Sequence, residues 1–374
     1  MTPLPPGRVI GIVGGGQLGR MSAIAAARLG YRCHILTDDA DSPAAQVAAA
    51  ATVGSYDDEG ALRTFAAAVD VVTFEFENVS AAGLDLLAGL RPVFPAPSVL
   101  RISQDRIAEK TFVNDLGIAT APWQAVPGPV AIGFPAVLKT TRLGYDGRGQ
   151  APVASSEELE AALGRLAPAP FVLESRIDFA CEVSVVVARG QDGAVVAFDV
   201  VENRHRDGIL DVSFAPARVP DEIATEARRV ACRIAGALDL VGVLAVEMFV
   251  AADPIRQGAA LLVNEIAPRP HNSGHWTLDA CVASQFDLHI RAVAGLPLPP
   301  AARHSDAVMK NLIGPAGIAH WPAVLATPGL IGHHYGKVEA RSGRKMGHVT
   351  RLFPRGGLPG AFGVAAGLHP LPTD

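Results

Sequence analysis

The sequence predicts a multidomain protein of mixed α/β and α+β class: a doubly wound parallel sheet first, then antiparallel sheet with helices. Three observations lead there. Strand, glycine turn and helix alternate from Arg8 to about residue 100, the rhythm of crossover connections between parallel strands. Two β-rich runs around "GQDG", and two more around position 256, read as hairpins, which join antiparallel strands. Finally, 374 residues exceed what one ordinary hydrophobic core organises.

Taken in order, "RVIGIV" is a short apolar strand, and "GGGQLGRMSAIAAARLG" supplies a glycine turn and then helical periodicity that stops at Gly30. "YRCHILTDD" is a second strand, residues 57–68 a helix, and "DVVTFEFENV" a further strand. The texture changes near residue 100. "SQDRIAEKTFVNDLG" is a helix closing on Gly117, while "FPAVLKTT", a glycine-rich loop and "APVASSEELEAALGRL" make a small α/β unit. The hairpins "CEVSVVVARGQDGAVVAFDVV" and "VGVLAVEMFV" with "ALLVNEIAP" follow. After Leu352 the chain is rich in Gly and Pro, and no regular element is predicted there.

Composition narrows the function. A net charge of -5 without a basic run opposes the electrostatic footprint of nucleic-acid binding. Cys33, Cys181, Cys232 and Cys281 stand far apart with no CxxC pair, so neither a zinc cluster nor a secreted disulfide framework is indicated. The start "MTPLPPGRVIGIVGGG" breaks its apolar run with Pro and Gly, unlike a signal peptide, and no stretch is long enough to span a bilayer. The expectation is a soluble cytoplasmic protein acting on small molecules, with no nucleic-acid or membrane partner.

Several motifs carry chemistry. Gly14, Gly16 and Gly19 have G-x-G-x-x-G spacing, with Asp38 and Asp39 roughly twenty residues on. By itself this segment suits a nicotinamide oxidoreductase, or a tight βα turn that binds nothing. In "KTTRLGYDGRGQ", Lys139 ends a strand, and Gly144, Gly147 and Gly149 punctuate a loop bearing Asp146 and Arg148, a composition able to close over phosphates. Arg106 and Lys110 lie at i, i+4, where like charges cost only about 0.2–0.5 kcal/mol, so an exposed basic face is the plain expectation for the pair.

Glu247 and Glu265 are the lone acids of two apolar strands, and their midpoint is position 256. A hairpin about that point sets the two carboxylates directly opposite each other, and Phe249 opposite Val263. Unshielded, the acids would repel by about 4 kcal/mol at about 4 Å and an effective dielectric of about 20. Either one is protonated or a cation sits between them, and hard oxygen ligands beside a phosphate site point to Mg²⁺. In "NEIAPRPHNSGH" the planar fork of Arg269 and the donors of Asn272, Ser273 and Gly274 suit a small planar anion. His271 and His275 have helical i, i+4 spacing for zinc, but Pro270 and Gly274 oppose a helix. Arg341, Arg344 and Lys345 form a late basic cluster, either solvated or a second phosphate anchor.

In this order "GGGQLGRM", "EFENV", "KTTRLGYDGRGQ", "NEIAPRPHNSGHWT" and "GRKMGH" resemble the N5-carboxyaminoimidazole ribonucleotide synthases of purine biosynthesis, members of the ATP-grasp superfamily, over about residues 8–350. The resemblance implies an ATP-grasp fold with a Rossmann-like N-terminal domain at 1–102, a small lid subdomain at 103–187, a catalytic subdomain at 188–300 and a small C-terminal domain at 301–374. It implies a homodimer that turns ATP, bicarbonate and 5-aminoimidazole ribonucleotide into ADP, phosphate and the N-carboxylated ribonucleotide by way of carboxyphosphate. Carried over by motif, ATP contacts fall on Arg106, Lys139, Gly144, Tyr145, Asp146, Gly147, Arg148, Gly149 and Gln150, and on Glu174, Ser175, Arg176, Ile177, Glu182, His205, Asn264 and Glu265. Glu247 and Glu265 would hold Mg²⁺, and Arg269, His271, Asn272 and Ser273 would cradle bicarbonate and then carboxyphosphate. Gln17, Leu18, Glu75, Tyr145, Asp146 and Lys345 would face the aminoimidazole ribonucleotide, with Asp146 orienting its amine or taking its proton. On this reading the "GGGQLG" turn serves a sugar phosphate and not NAD.

Overall fold

A computed structural model describes residues 2–127, 131–142, 144, 149–254 and 258–358. Four parallel strands open the chain: β1 (Val9–Val13), β2 (Arg32–Thr37), β3 (Ala50–Val53) and β4 (Val71–Phe74), arranged β3-β2-β1-β4. The connections carry α1 (Gln17–Arg28), α2 (Glu59–Ala67) and α3 (Ala81–Ala88). Both faces of such a sheet must be covered, which explains the unbroken apolar runs. One face packs Ile10, Ile12 and Ile35 on Leu18 and Met21 of α1; the other packs Val13, Leu36 and Val72 on Leu62 and Phe65 of α2 and Leu84 and Leu87 of α3. Asp58 starts α2 by accepting from the Gly60 and Ala61 amides. The strand expected through "DVVTFEFENV" ends at Phe74, because Glu75 turns away to a partner described below.

Next come α4 (Pro97–Ser103) and α5 (Arg106–Asp115), the latter capped by Asp105 and closed at Gly117 with φ +65°. A four-stranded antiparallel sheet follows: β5 (Trp123–Val126), β6 (Ala136–Thr140), β7 (Gln150–Val153) and β8 (Phe171–Ser175), in the order β5-β8-β6-β7. Helix α6 (Ser156–Leu166) covers it through Leu159 and Ala162 against Leu138 and Leu173.

The large sheet has nine strands, and these begin with β9 (Phe179–Arg189), β10 (Val195–Ala197), β11 (Val201–Arg206) and β12 (Ile209–Ala215). After α7 (Asp221–Ala237) come β13 (Gly242–Ala251) and β14 (Leu261–Ala267), then α8 (Thr277–Ala280), α9 (Gln285–Val293) and β15 (Asp306–Ile313). Helices α10 (Gly314–Ala319) and α11 (Trp321–Ala326) lead to β16 (Leu330–His334) and β17 (Lys345–Phe353). The order is β14-β13-β9-β11-β12-β15-β17-β16, with β10 beside β9. The "GQDG" hairpin forms as expected, Arg189 opposite Val195. Val230, Ala231 and Ile234 of α7 bury Val185, Val187 and Leu244 of the sheet.

Two expected boundaries fall differently. The division at 187/188 lies inside β9, since the small sheet ends at Ser175 and the large one begins at Phe179. Among the described residues, 301–358 form no separate sheet: β15 pairs with β12, Val212 opposite Lys310, and β17 pairs with β15. The reason is a shared core of Val212, Phe214, Val308, Leu312 and Val349, which is buried only when these strands lie side by side. Residues 359–374, most of the Gly- and Pro-rich tail, lie outside the described residues.

Candidate active site

Residues of both antiparallel sheets, together with the start of α1 and the segment that follows β4, line one cleft of about 950 Å³. On its floor Glu247 of β13 stands opposite Glu265 of β14, as the hairpin spacing predicts. The register then slips: Met248 pairs with Val263 and Phe249 with Leu262, so the expected Phe249–Val263 pair is not formed. Asn264 is the extra residue of this β-bulge, a device that bends a strand and re-aims side chains next to a site. Burial, and then the neighbouring Glu265 charge, push the Glu247 carboxyl up to about 8. Two hard oxygen donors, one of them kept poorly ionised by burial and by the charge of the other, fit a divalent cation such as Mg²⁺. Arg106 lies 3.6 Å from Glu265, and His271 Nε2 lies 3.6 Å from Glu247 Oε1. On the adjacent strand Glu182 bonds His205 Nδ1 at 2.5 Å. Burial opposes protonation of His205, but the bond to Glu182 and the charge of Glu247 outweigh it and raise its pKa.

A second cluster is basic. Lys139, next to last in β6, reaches Glu174 of β8 at 2.9 Å; Lys110 of α5 reaches the same carboxylate at 3.3 Å. Lys110 is 1% exposed, so the basic face expected to be solvated is instead covered. The cause is the docking of α5 on β14, which also puts the Glu109 carboxylate 2.5 Å from the Ile266 amide. Burial raises Glu109 to about 8, against the pull of Lys110 and Arg106. Burial lowers Lys139, and Glu174 only partly restores it. Glu109 had no marker in the sequence beyond one acid in an amphipathic helix.

The "NEIAPRPHNSGH" segment divides its labour. Arg269 pairs with Glu77 at 2.6 Å and His271 faces the cleft. Glu77, in "EFENV", was not singled out in the sequence. Asn272 and Asn311 exchange amide hydrogen bonds of 2.9 and 2.7 Å, and the Ser273 side chain is fully buried, so Ser273 shapes the turn without lining the cleft. His275 is buried against Gln285, 3.0 Å from its amide nitrogen, and does not join His271.

The glycine turn at α1 holds an anion of the chain's own. Glu75 accepts hydrogen bonds from the amides of Gly16 and, at 2.7 Å, Gly19. These are the donors that a phosphate at the turn would use, so the Gly16 and Gly19 amides are open neither to a dinucleotide pyrophosphate nor to the sugar phosphate expected there. The glycines make room for this contact: a Cβ on Gly16 would lie 2.5 Å from Glu75 Oε1. Burial raises the Glu75 pKa against the pull of the two amides, Arg269 and Lys337.

Of the other expected site residues, Gln17, Leu18, Gly144, Gln150 and Lys345 line the cleft, and Arg341 and Arg344 border it. Ser175, Arg176, Ile177 and Gly149 are not among its lining residues, and Glu174 is buried beneath it by its two lysines. Tyr145, Asp146, Gly147 and Arg148 lie outside the described residues.

This architecture has close relatives. A Brucella melitensis protein named N5-carboxyaminoimidazole ribonucleotide synthase is 52% identical over 363 residues, spanning 95% of this chain and 99% of its own. The chain belongs to the N5-carboxyaminoimidazole ribonucleotide synthase family. Residues 8–104 match the ribonucleotide synthetase preATP-grasp domain, 111–286 the ATP-grasp domain, and 307–355 the phosphoribosylaminoimidazole carboxylase C-terminal domain. A crystal structure of an N5-carboxyaminoimidazole ribonucleotide synthetase in complex with ADP is similar at a TM-score of 0.89, with 41% identity over 94% of each chain. The Aspergillus clavatus N5-carboxyaminoimidazole synthase, crystallised with ADP and 5-aminoimidazole ribonucleotide, gives 0.86 with 33% identity over 93% of this chain and 94% of its own. As a member of the N5-carboxyaminoimidazole ribonucleotide synthase family the chain is an ATP-grasp ligase, and the family's reaction is an ATP-dependent carboxylation in purine biosynthesis.

Proposed function

We propose that this cleft carboxylates 5-aminoimidazole ribonucleotide with bicarbonate, cleaving ATP to ADP and phosphate by way of carboxyphosphate. One observation carries the reading: the Glu247–Glu265 pair and the Arg269–His271 pair face the same cleft, so a phosphate-handling group adjoins a carboxylate-handling one. Glu247 and Glu265 are the residues to hold Mg²⁺, which when bound supplies positive charge to the transferring phosphoryl group. Lys139 and Arg106 add positive charge along the nucleotide. Arg269, held in place by its ion pair with Glu77, offers guanidinium donors to bicarbonate, whose oxygen attacks the γ-phosphorus and expels ADP.

Asn272 supports this cradle from the turn it shares with Ser273. The exocyclic amine of the ribonucleotide, lying between Gln17, Leu18, Glu75 and Lys345, then attacks the carboxyl carbon and phosphate leaves. Asp146 orients that amine, the role that the family motif implies for it. A homodimer and a cytoplasmic location accompany the reading on family grounds; among the described residues no helix is long and apolar enough to cross a membrane.

The decisive experiment measures ADP release with 5-aminoimidazole ribonucleotide and bicarbonate each supplied or withheld. Full turnover is expected only with both. Full-rate ADP release without the ribonucleotide, or with formate replacing bicarbonate, overturns the assignment.

A further inference from the structure

We propose that Ser184, Asn203 and Ser213 are positioning residues for His271: a buried line of hydrogen bonds that holds its imidazole in one tautomer, with the proton on the nitrogen facing Glu247. The proposal rests on the reading above, in which His271 faces the bicarbonate-derived group.

The line crosses three strands. Ser213 of β12 donates its hydroxyl to Asn203 Oδ1 on β11 at 2.8 Å, and Asn203 Nδ2 donates to Ser184 Oγ on β9 at 2.9 Å. Ser184 donates to Ser273 Oγ at 2.8 Å, and Ser273 Oγ lies 2.8 Å from His271 Nδ1. The backbone N–H of Ser273 reaches the same ring nitrogen at 3.3 Å. A backbone N–H can only donate, so this long contact favours Nδ1 as an acceptor, and the shorter hydroxyl contact decides it: when Ser273 donates, the ring proton sits on Nε2. The Ser273 hydroxyl, already accepting from Ser184, completes the direction by donating to Nδ1. Nε2, the proton-bearing nitrogen, is the one 3.6 Å from Glu247 Oε1.

Packing alone does not explain these residues. Ser184, Ser213 and Ser273 have no exposure and Asn203 has 4%. A polar group of this kind is costly to bury unpaired, whereas alanine or valine would fill the same interior without a partner. The line ends at a cleft histidine, and Ser184 is itself the cross-strand partner of Glu247, so it stands beside the acidic pair on the same face of the sheet. The consequence is chemical. His271 presents a hydrogen-bond donor to an anionic oxygen in the cleft; the opposite tautomer would present a lone pair and repel it.

Three variants test this in the full-length enzyme. Ser184→Ala interrupts the line, Ser184→Thr keeps the hydroxyl, and Asn203→Asp replaces the donating amide with an acceptor at nearly constant shape. Long-range proton–nitrogen correlation spectra of the imidazoles, with the His271 signal assigned by its loss in His271→Gln, report the tautomer without substrate. Wild type and Ser184→Thr should show the Nε2–H form alone, and Ser184→Ala and Asn203→Asp a mixture. In steady state the latter two should lose about 10- to 100-fold in kcat/KM for bicarbonate with the KM for ATP unchanged, and Ser184→Thr should retain activity. A wild-type proton on Nδ1, or an unchanged tautomer and bicarbonate kinetics in both disruptive variants, overturns the proposal. If Ser184→Ala fails to fold, Asn203→Asp carries both readouts. An enzyme that ignores bicarbonate would overturn the functional reading, while the tautomer result would still stand or fall by its own spectrum.

Discussion

Glu247 and Glu265 form one cross-strand pair, carboxylate opposite carboxylate, and the register slips by one residue immediately beyond them. Burial and the Glu265 charge raise the Glu247 carboxyl to about 8. Glu247→Gln should therefore lower kcat/KM for ATP roughly 100- to 1000-fold, the scale of losing one preorganised charge-stabilising group. At pH 9 without divalent ions, where Glu247 is ionised, the same change should raise the thermal midpoint by removing the repulsion. A midpoint that falls at pH 9 would show that the two acids do not oppose each other.

Glu109 predicts a pH dependence of stability. Its folded value of about 8 lies above an unfolded value of about 4.3, so the folded chain binds the extra proton between those limits. The resulting stabilisation is complete below about pH 4.3 and is lost as pH rises to about 8. Urea unfolding from pH 5 to 9 should show this decline, and Glu109→Gln should flatten part of it. An identical slope in the variant rules the assignment out.

Glu174 is the counter-ion of two buried lysines. Glu174→Gln leaves Lys110 and Lys139 facing each other in the interior, and breaking a buried pair in this way costs about 3–5 kcal/mol. Equilibrium denaturation at pH 7 measures it. A loss below about 1 kcal/mol would mean that water reaches the lysines, as at exposed pairs.

Gly16→Ala tests the occupancy of the α1 N-terminus. The added methyl would meet Glu75 Oε1 at 2.5 Å, and relieving that contact should cost about 1–3 kcal/mol of stability. The KM for the ribonucleotide should rise with that for ATP unchanged. Stabilisation of the wild-type protein by NADH in a thermal-shift assay would contradict the view that Glu75 has taken the phosphate's place.

Much of the site was legible for local reasons. A two-stranded hairpin has its register set by its own midpoint, so the Glu247–Glu265 pair could be placed by counting. Past Asn264 counting fails, because a bulge answers to what lies under the strand and not to spacing. Lys110 shows the other limit. At helical spacing from Arg106 it resembles a solvated cation, and only the packing of α5 on β14 reveals that it is buried.

The sequence by itself determined the alternation of strands and helices, the "GQDG" turn and the acidic pair, all interactions among residues close along the chain. The tertiary structure decided that Glu75 occupies the glycine turn 59 residues before it, that Glu109 bonds an amide 157 residues after it, and that β15 and β17 extend the sheet begun by β9. The physical reason is that local propensity and periodicity state which face of an element is apolar, whereas the partner that covers it is chosen by the burial of the whole chain.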